Sequence, residues 1–253
     1  GVADAQLPQR ALEHHQDPIG DILLETKDAQ GRASLTRAIE SRDQDIRDNL
    51  PGTIADIDTE FLHDLRVAVR RTRSLLKLGR PALPAHVREV WEPQFKWLGD
   101  VTTPVRDLDV YQLGFPEMAG WLAAAAPTDL DPFKDYLAQR RDTERRALVQ
   151  GLRGARLRRL FDGWAAELDA LADSAQPTND GGWSAGALAR ATVARAHRRI
   201  VRGGTAISDS SPPEALHVLR KRCKELRYAL EMFAPVLDDD QAGQAIKDLK
   251  RLQ

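Results

Sequence analysis

Residues 63–73 read His63-Asp64-Leu65-Arg66-Val67-Ala68-Val69-Arg70-Arg71-Thr72-Arg73, and residues 217–228 read His217-Val218-Leu219-Arg220-Lys221-Arg222-Cys223-Lys224-Glu225-Leu226-Arg227-Tyr228. A helix advances about 100° per residue, so positions three, seven and ten after each histidine share its face. In the first stretch that face holds His63, Arg66, Arg70, Arg73 and, further on, Lys77. In the second it holds His217, Arg220, Lys224 and Arg227, with Lys221 beside them. The adjacent face is apolar in both: Leu62, Leu65, Val69 and Leu76 in one, Leu216, Leu219, Cys223 and Leu230 in the other. An apolar stripe of this period buries against other helices, so each stretch predicts an amphipathic helix that presents a row of cations.

The two stretches belong to a longer repeat at an offset of 153–154 residues. Upstream, Leu35, Arg37 and Arg42 match Leu188, Arg190 and Arg195; downstream, Lys96 and Leu98 match Lys250 and Leu252. Matching cations on three separate helices point to internal duplication. The expected fold is therefore all-α: two helical bundles related by a pseudo-two-fold axis around a basic central cavity, the second copy truncated at its C-terminus. Residues 1–20 read as a lead-in or linker, 21–182 as the first half and 183–253 as the incomplete second half. Helical periodicity between Gly and Pro breaks predicts helices near 9–28, 33–50, 57–79, 85–101, 106–126, 130–150, 153–173, 184–202, 212–234 and 238–252. Trp91, Trp97, Trp121, Trp164 and Trp183 fall beside apolar residues and are expected in the core.

Composition agrees with this reading. Of 253 residues, 42% are hydrophobic, enough for one large core or two joined ones. The single cysteine, Cys223, excludes an internal disulfide and makes a reducing compartment the default. No opening charged-then-apolar segment suggests a secretion signal, and the Ala-rich run from Met118 to Ala126 is too short to span a bilayer. A chain opening on Gly1 suggests a fragment. Net charge is only −1, but the charges are segregated into acidic and basic runs, and the local field is what captures an anion.

A row of like charges is self-repulsive by roughly 0.2–0.5 kcal/mol per exposed i,i+4 pair. The only acid within the first row is Asp64, which points away; the second row ends at Glu231, which relieves it in part. Arginine forks match phosphate oxygens, lysine adds a point charge, and a histidine beside an anion is favoured in its protonated form. Aromatic residues do not interleave with these cations, so stacking of nucleobases is poorly served, and no groove-reading motif is present. A phosphate chain without bases fits better than nucleic acid, which stays as the second reading. Metal binding is disfavoured, because His14, His15, His63, His86, His197 and His217 form no i,i+4 pair with a nearby carboxylate. Arg106-Asp107-Leu108-Asp109 offers two carboxylates for Mg²⁺, but they point about 200° apart on a helix. Helix capping or a salt bridge is the expectation there. The basic region Arg140 to Arg159, interrupted by Asp142 and Glu144, reads as a solvated, salt-bridged face.

The two His-containing stretches resemble the two signatures of the CHAD family, the conserved histidine α-helical domain. Phe95-Lys96-Trp97-Leu98 leading into Val105-Arg106-Asp107-Leu108-Asp109-Val110 is similar to the family's segment between them. The resemblance covers about residues 20–253. It implies two pseudo-symmetric bundles and binding of inorganic polyphosphate in a basic cavity, without catalysis or cofactor. It also implies a cytoplasmic location at polyphosphate granules and, often, fusion to a triphosphate-processing CYTH domain. The polyphosphate-contacting set expected from repeat and resemblance together is His63, Arg66, Arg70, Arg73, Lys77, Arg37, Arg42, Lys96, Arg190, Arg195, His217, Arg220, Lys221, Lys224, Arg227 and Lys250. One departure stands out: Thr102-Thr103 occupies positions where the family usually has Leu-Gly, which leaves the helix end there open.

Overall fold

A computed structural model describes residues 31–80, 83–121, 126–174, 185–234, 237 and 239–251. The helix expected at 9–28, His14, His15 and Trp183 lie outside them. All regular structure among the described residues is helical: α1 (Gly31–Ala55), α2 (Thr59–Leu78), α3 (Ala85–Gly120), α4 (Asp131–Arg153), α5 (Ala155–Ser174), α6 (Ala185–Thr205), α7 (Pro213–Phe233) and α8 (Asp239–Arg251). A 3-10 turn, Pro127–Leu130, leads into α4.

The expected break between 101 and 106 does not exist; α3 is one helix of 36 residues that contains Pro93, Pro104 and Pro116. Proline deletes one backbone hydrogen bond and crowds the preceding turn. All three prolines are exposed, so the carbonyls they free lie on the solvent side, where water can satisfy them. Pro51 in α1 is exposed in the same way.

The chain divides into two compact units, one spanning Ala33–Pro177 and the other containing Thr178–Gln253. In the first unit, α2 buries Leu62, Leu65, Ala68, Val69, Thr72, Leu75 and Leu76. α3 contributes Val87, Trp91, Phe95, Leu98 and Val105. Trp164 of α5, fully buried, closes the far side, with ring centroids 5.1 Å from both Trp91 and Phe95. Such tilted and edge-on pairs add to the area they bury. The Trp91 indole N–H donates to Glu167, whose other oxygen meets His86 at 3.0 Å, whereas the buried Trp164 indole N–H has no hydrogen-bond partner among the described residues.

In the second unit, α7 packs on α6 and α8 and buries Cys223, Leu226, Ala229, Leu230 and Phe233. Burial pushes the Cys223 thiol up from its ordinary value. Leu216, expected in this stripe, is instead 56% exposed: it lies in the first turn of α7, where the helix has not yet reached its neighbours. The tryptophans also divide. Trp91 and Trp164 are core, Trp97 is half-buried under the Arg156 guanidinium (4.3 Å), and Trp121 at the end of α3 is 72% exposed. No described helix is long and apolar enough to cross a membrane.

Candidate polyanion-binding faces

Asp58 starts the first candidate helix. Its carboxylate accepts the backbone N–H groups of Glu60 and Phe61 at 2.8 and 3.3 Å, satisfying donors that a helix start leaves open. From there the apolar stripe of α2 is buried and the cation row is not: His63, Arg66 and Arg73 are half-buried, Arg70 and Lys77 exposed. Along the helix axis His63 and Lys77 stand about 21 Å apart.

α3 runs antiparallel beside this row and modifies it. The Arg66 Nη1 donates to the Gly99 carbonyl at 3.0 Å and to the hydroxyls of Thr102 and Thr103 at 2.8 and 2.9 Å. Both hydroxyls also donate to the Gly99 carbonyl, at 2.8 and 2.9 Å, which fixes their rotamers. One corner of the guanidinium is therefore clamped, while no protein partner occupies its Nε or Nη2 among the described residues. The two threonines that depart from the family pattern thus do not end the helix; they orient Arg66. Burial lowers the proton affinity of Arg66; Asp107 opposes that, and Arg106 and Arg70 add to it. It stays charged, as arginine does in proteins.

Relief of the row's self-repulsion, which the first stripe lacks within its own sequence, comes from α3. Asp100 pairs with Lys96 at 2.5 Å, and the hydrogen bond from Lys96 leads the causes that hold its carboxyl below the usual range, with Arg73 contributing. Lys96 is thus a paired cation rather than an open one. Arg42, also among the expected contacts, pairs with Asp45 at 2.9 Å.

Arg106-Asp107-Leu108-Asp109 lies in mid-helix, which excludes N-terminal capping; of the two expected roles, the salt bridge is the one found. Asp109 is fully buried and accepts from the Arg141 Nε at 2.6 Å. The remaining Arg141 nitrogens bind Asp56 in a two-pronged contact at 2.9 and 2.8 Å, and Arg145 reaches the same carboxylate at 2.9 Å. Asp56 sits at φ 57°, in the left-handed region, between α1 and α2. Its carboxyl is held below the usual range chiefly by the Arg141 hydrogen bond; Arg141 is correspondingly raised, first by Asp56 and then by Asp109. This network pins α4 to α3 and to the corner from which α2 departs. Arg141 and Arg145 are mostly buried, so in this part of the 140–159 region the expected salt bridges are present but form an internal brace rather than a solvated face.

On α7, His217, Arg220 and Lys221 are exposed, and Lys224 and Arg227 are half-buried. Arg227 is held by Glu231 at 2.6 Å and lies 4.5 Å over the Tyr228 ring, so the expected relief at Glu231 is an ion pair. Arg199 of α6 pairs with Glu225 at 3.0 Å, and Arg222 donates to the Arg199 carbonyl. Arg37, Arg190, Arg195 and Lys250 are exposed on α1, α6 and α8. Within each unit the structure thus groups the expected cations on adjacent helices. The residues that sequence reasoning missed are Thr102 and Thr103, whose hydroxyl partner Arg66 lies 36 and 37 residues away, and Arg106, which joins Arg66 electrostatically.

No group of His, Cys, Asp or Glu among the described residues is arranged to hold a metal ion.

Comparison with known proteins places these features in a family. The chain is 28% identical over 204 residues to the uncharacterized protein Rv2226 of Mycobacterium tuberculosis; the match takes in 76% of this chain but only 37% of that protein. The fold matches the crystal structure of the CHAD domain from the plant Ricinus communis with a TM-score of 0.72 and 25% identity, over 89% of this chain and 73% of that one. It also matches PptA from Streptomyces chartreusis with a TM-score of 0.61 and 16% identity, over 90% and 81% of the two chains. The family model of the CHAD domain matches residues 24–253, and the chain belongs to that family.

Proposed function

We propose that this chain binds inorganic polyphosphate without catalysis, through the cation rows of α2 and α7, in the cytoplasm and as a module that a triphosphate-processing domain can accompany. The observation that carries the reading is Arg66: one nitrogen is clamped by Gly99, Thr102 and Thr103, and the rest of the fork remains for a ligand, in a row that continues through Arg70. A phosphate oxygen accepts paired donors of this geometry, and a row about 21 Å long meets several phosphates of one chain. Two such rows in one molecule raise affinity for long chains through effective concentration.

Binding of labelled long-chain polyphosphate, followed by fluorescence anisotropy, tests this. Affinity is expected to rise with chain length and fall steeply with salt. Replacing Arg66, Arg70, Arg220 and Lys224 together by Ala is expected to abolish binding while helicity by circular dichroism is kept. Normal binding by that variant removes the rows as the site. Displacement of polyphosphate by duplex RNA or DNA at equal phosphate concentration transfers the assignment to nucleic acid.

A further inference from the structure

α3 is longer than the helix it packs on. The Arg106 Nη1 donates to the Thr59 carbonyl at the start of α2, so residues 107–120 run on for roughly 20 Å past that start. Among the described residues, α4 and its leading turn are what accompany them. No residue of α3 beyond Asp109 is buried, and none of α4 before Leu137. The Phe115 and Phe133 rings face each other with centroids 6.2 Å apart, and among the described residues this part of the pair contributes no buried side chain.

Its surface is nonetheless apolar. Val110, Tyr111, Leu113, Trp121, Phe133 and Tyr136 are 44–72% exposed, and they make up six of the eleven large hydrophobic residues exposed in the described structure. Such residues gathered at one end of a unit mark an interaction surface, and Trp and Tyr are the types that carry binding energy at interfaces. The exposed charges around them are mostly acidic: Glu117, Asp129, Asp131 and Asp135, against Lys134 and, one turn past Tyr136, Arg140, which is paired with Glu144 at 2.7 Å. A second copy of the same overhang brings the same acids and is repelled, as are polyphosphate, nucleic acid and anionic lipid.

We propose that the α3–α4 overhang docks a cationic amphipathic helix of a partner protein. The partner's apolar residues sit on Leu113, Trp121 and their neighbours, and its Lys and Arg residues face Glu117, Asp129, Asp131 and Asp135. This surface is separate from the α2 row, so the proposal stands whether or not polyphosphate is the ligand there.

A labelled Leu/Lys amphipathic helical peptide, titrated with the whole chain, is the probe, and a Leu/Glu peptide of the same pattern is the control. The Leu/Lys peptide is expected to bind and the Leu/Glu peptide not to. Leu113→Glu with Trp121→Glu is expected to weaken binding at least tenfold and to leave helicity, melting temperature and polyphosphate binding unchanged, since both residues are exposed. Glu117→Gln with Asp135→Asn, which touches no packing, is expected to weaken it several-fold and to flatten its salt dependence. Absence of binding, equal binding of both peptides, or indifference to both variants overturns the proposal. So does self-association in sedimentation, or adsorption to phosphatidylcholine vesicles, that Leu113→Glu with Trp121→Glu abolishes; those results give the surface to a second copy or to lipid.

Discussion

Thr103→Val separates orientation of Arg66 from its charge. In the folded chain the two hydrogens on the Arg66 Nη1 are shared among three acceptors: Gly99, Thr102 and Thr103. A hydrogen bond involving a charged group contributes about 1.5–3 kcal/mol, but Arg66 is half-buried and two acceptors survive the substitution, so the loss is taken at about 1 kcal/mol. That corresponds to roughly fivefold weaker polyphosphate binding, and about 2 kcal/mol, or near thirtyfold, for Thr102→Val with Thr103→Val. Valine keeps the β-branched shape, so the fully buried Thr102 site stays filled. The charge count is untouched, and by the counterion-release argument the dependence of log affinity on log salt keeps its slope. Arg66→Ala instead reduces that slope by about 0.7–0.9. Titration of labelled long-chain polyphosphate at several salt concentrations reads both quantities, and Thr103→Ser, which keeps the hydroxyl, is expected to restore affinity. Wild-type affinity in Thr103→Val, or a slope that falls as it does in Arg66→Ala, refutes the reasoning.

Asp109→Asn leaves the mostly buried Arg141 short of one of its two carboxylates. Removing a partner from a buried pair costs about 3–5 kcal/mol; with Asp56 still in place we expect about 2–3 kcal/mol, seen as a fall of about 4–12 °C in Tm by circular dichroism. The Asp56 carboxyl, lowered chiefly by its Arg141 hydrogen bond, contributes stability that is complete above the unfolded value near pH 4 and is lost as pH falls through the folded value. Denaturant melts of wild type and Asp56→Asn are expected to differ at pH 7 and converge in acid. At Gly52 an added Cβ stands 2.3 Å from the Phe61 ring, so Gly52→Ala is expected to cost about 1–3 kcal/mol, less in combination with Phe61→Leu. Leu216→Lys is expected to fall within about 0.5 kcal/mol of wild type, whereas Leu226→Ala, in the core, costs about 2–5 kcal/mol by urea denaturation.

Periodicity by itself determined the helical class, the stripe of Leu62, Leu65, Val69 and Leu76 that α2 buries, and the cation rows beside the stripes on α2 and α7. Those properties depend on residues within a few turns of one another, and the helix pitch converts their spacing directly into a face. What lay beyond that reach had to come from packing. The continuity of α3 through Pro104 depends on that face being exposed, which only the arrangement of neighbouring helices settles. Leu216 and Trp121 obey the apolar pattern yet stand in solvent, because no described neighbour covers the first turn of α7 or the end of α3. Asp109 reads in sequence as a capping acid or a salt-bridge partner, and only the packing that brings Arg141, 32 residues on, against it decides for the salt bridge. Arg66 reads as one cation among several in the row; tertiary contact with Gly99, Thr102 and Thr103 makes it an oriented one. Hydrogen bonds and ion pairs act over about 3 Å of space at any separation in sequence, so the direction in which a charge points was decided by the fold, while its presence on a face was decided by the sequence.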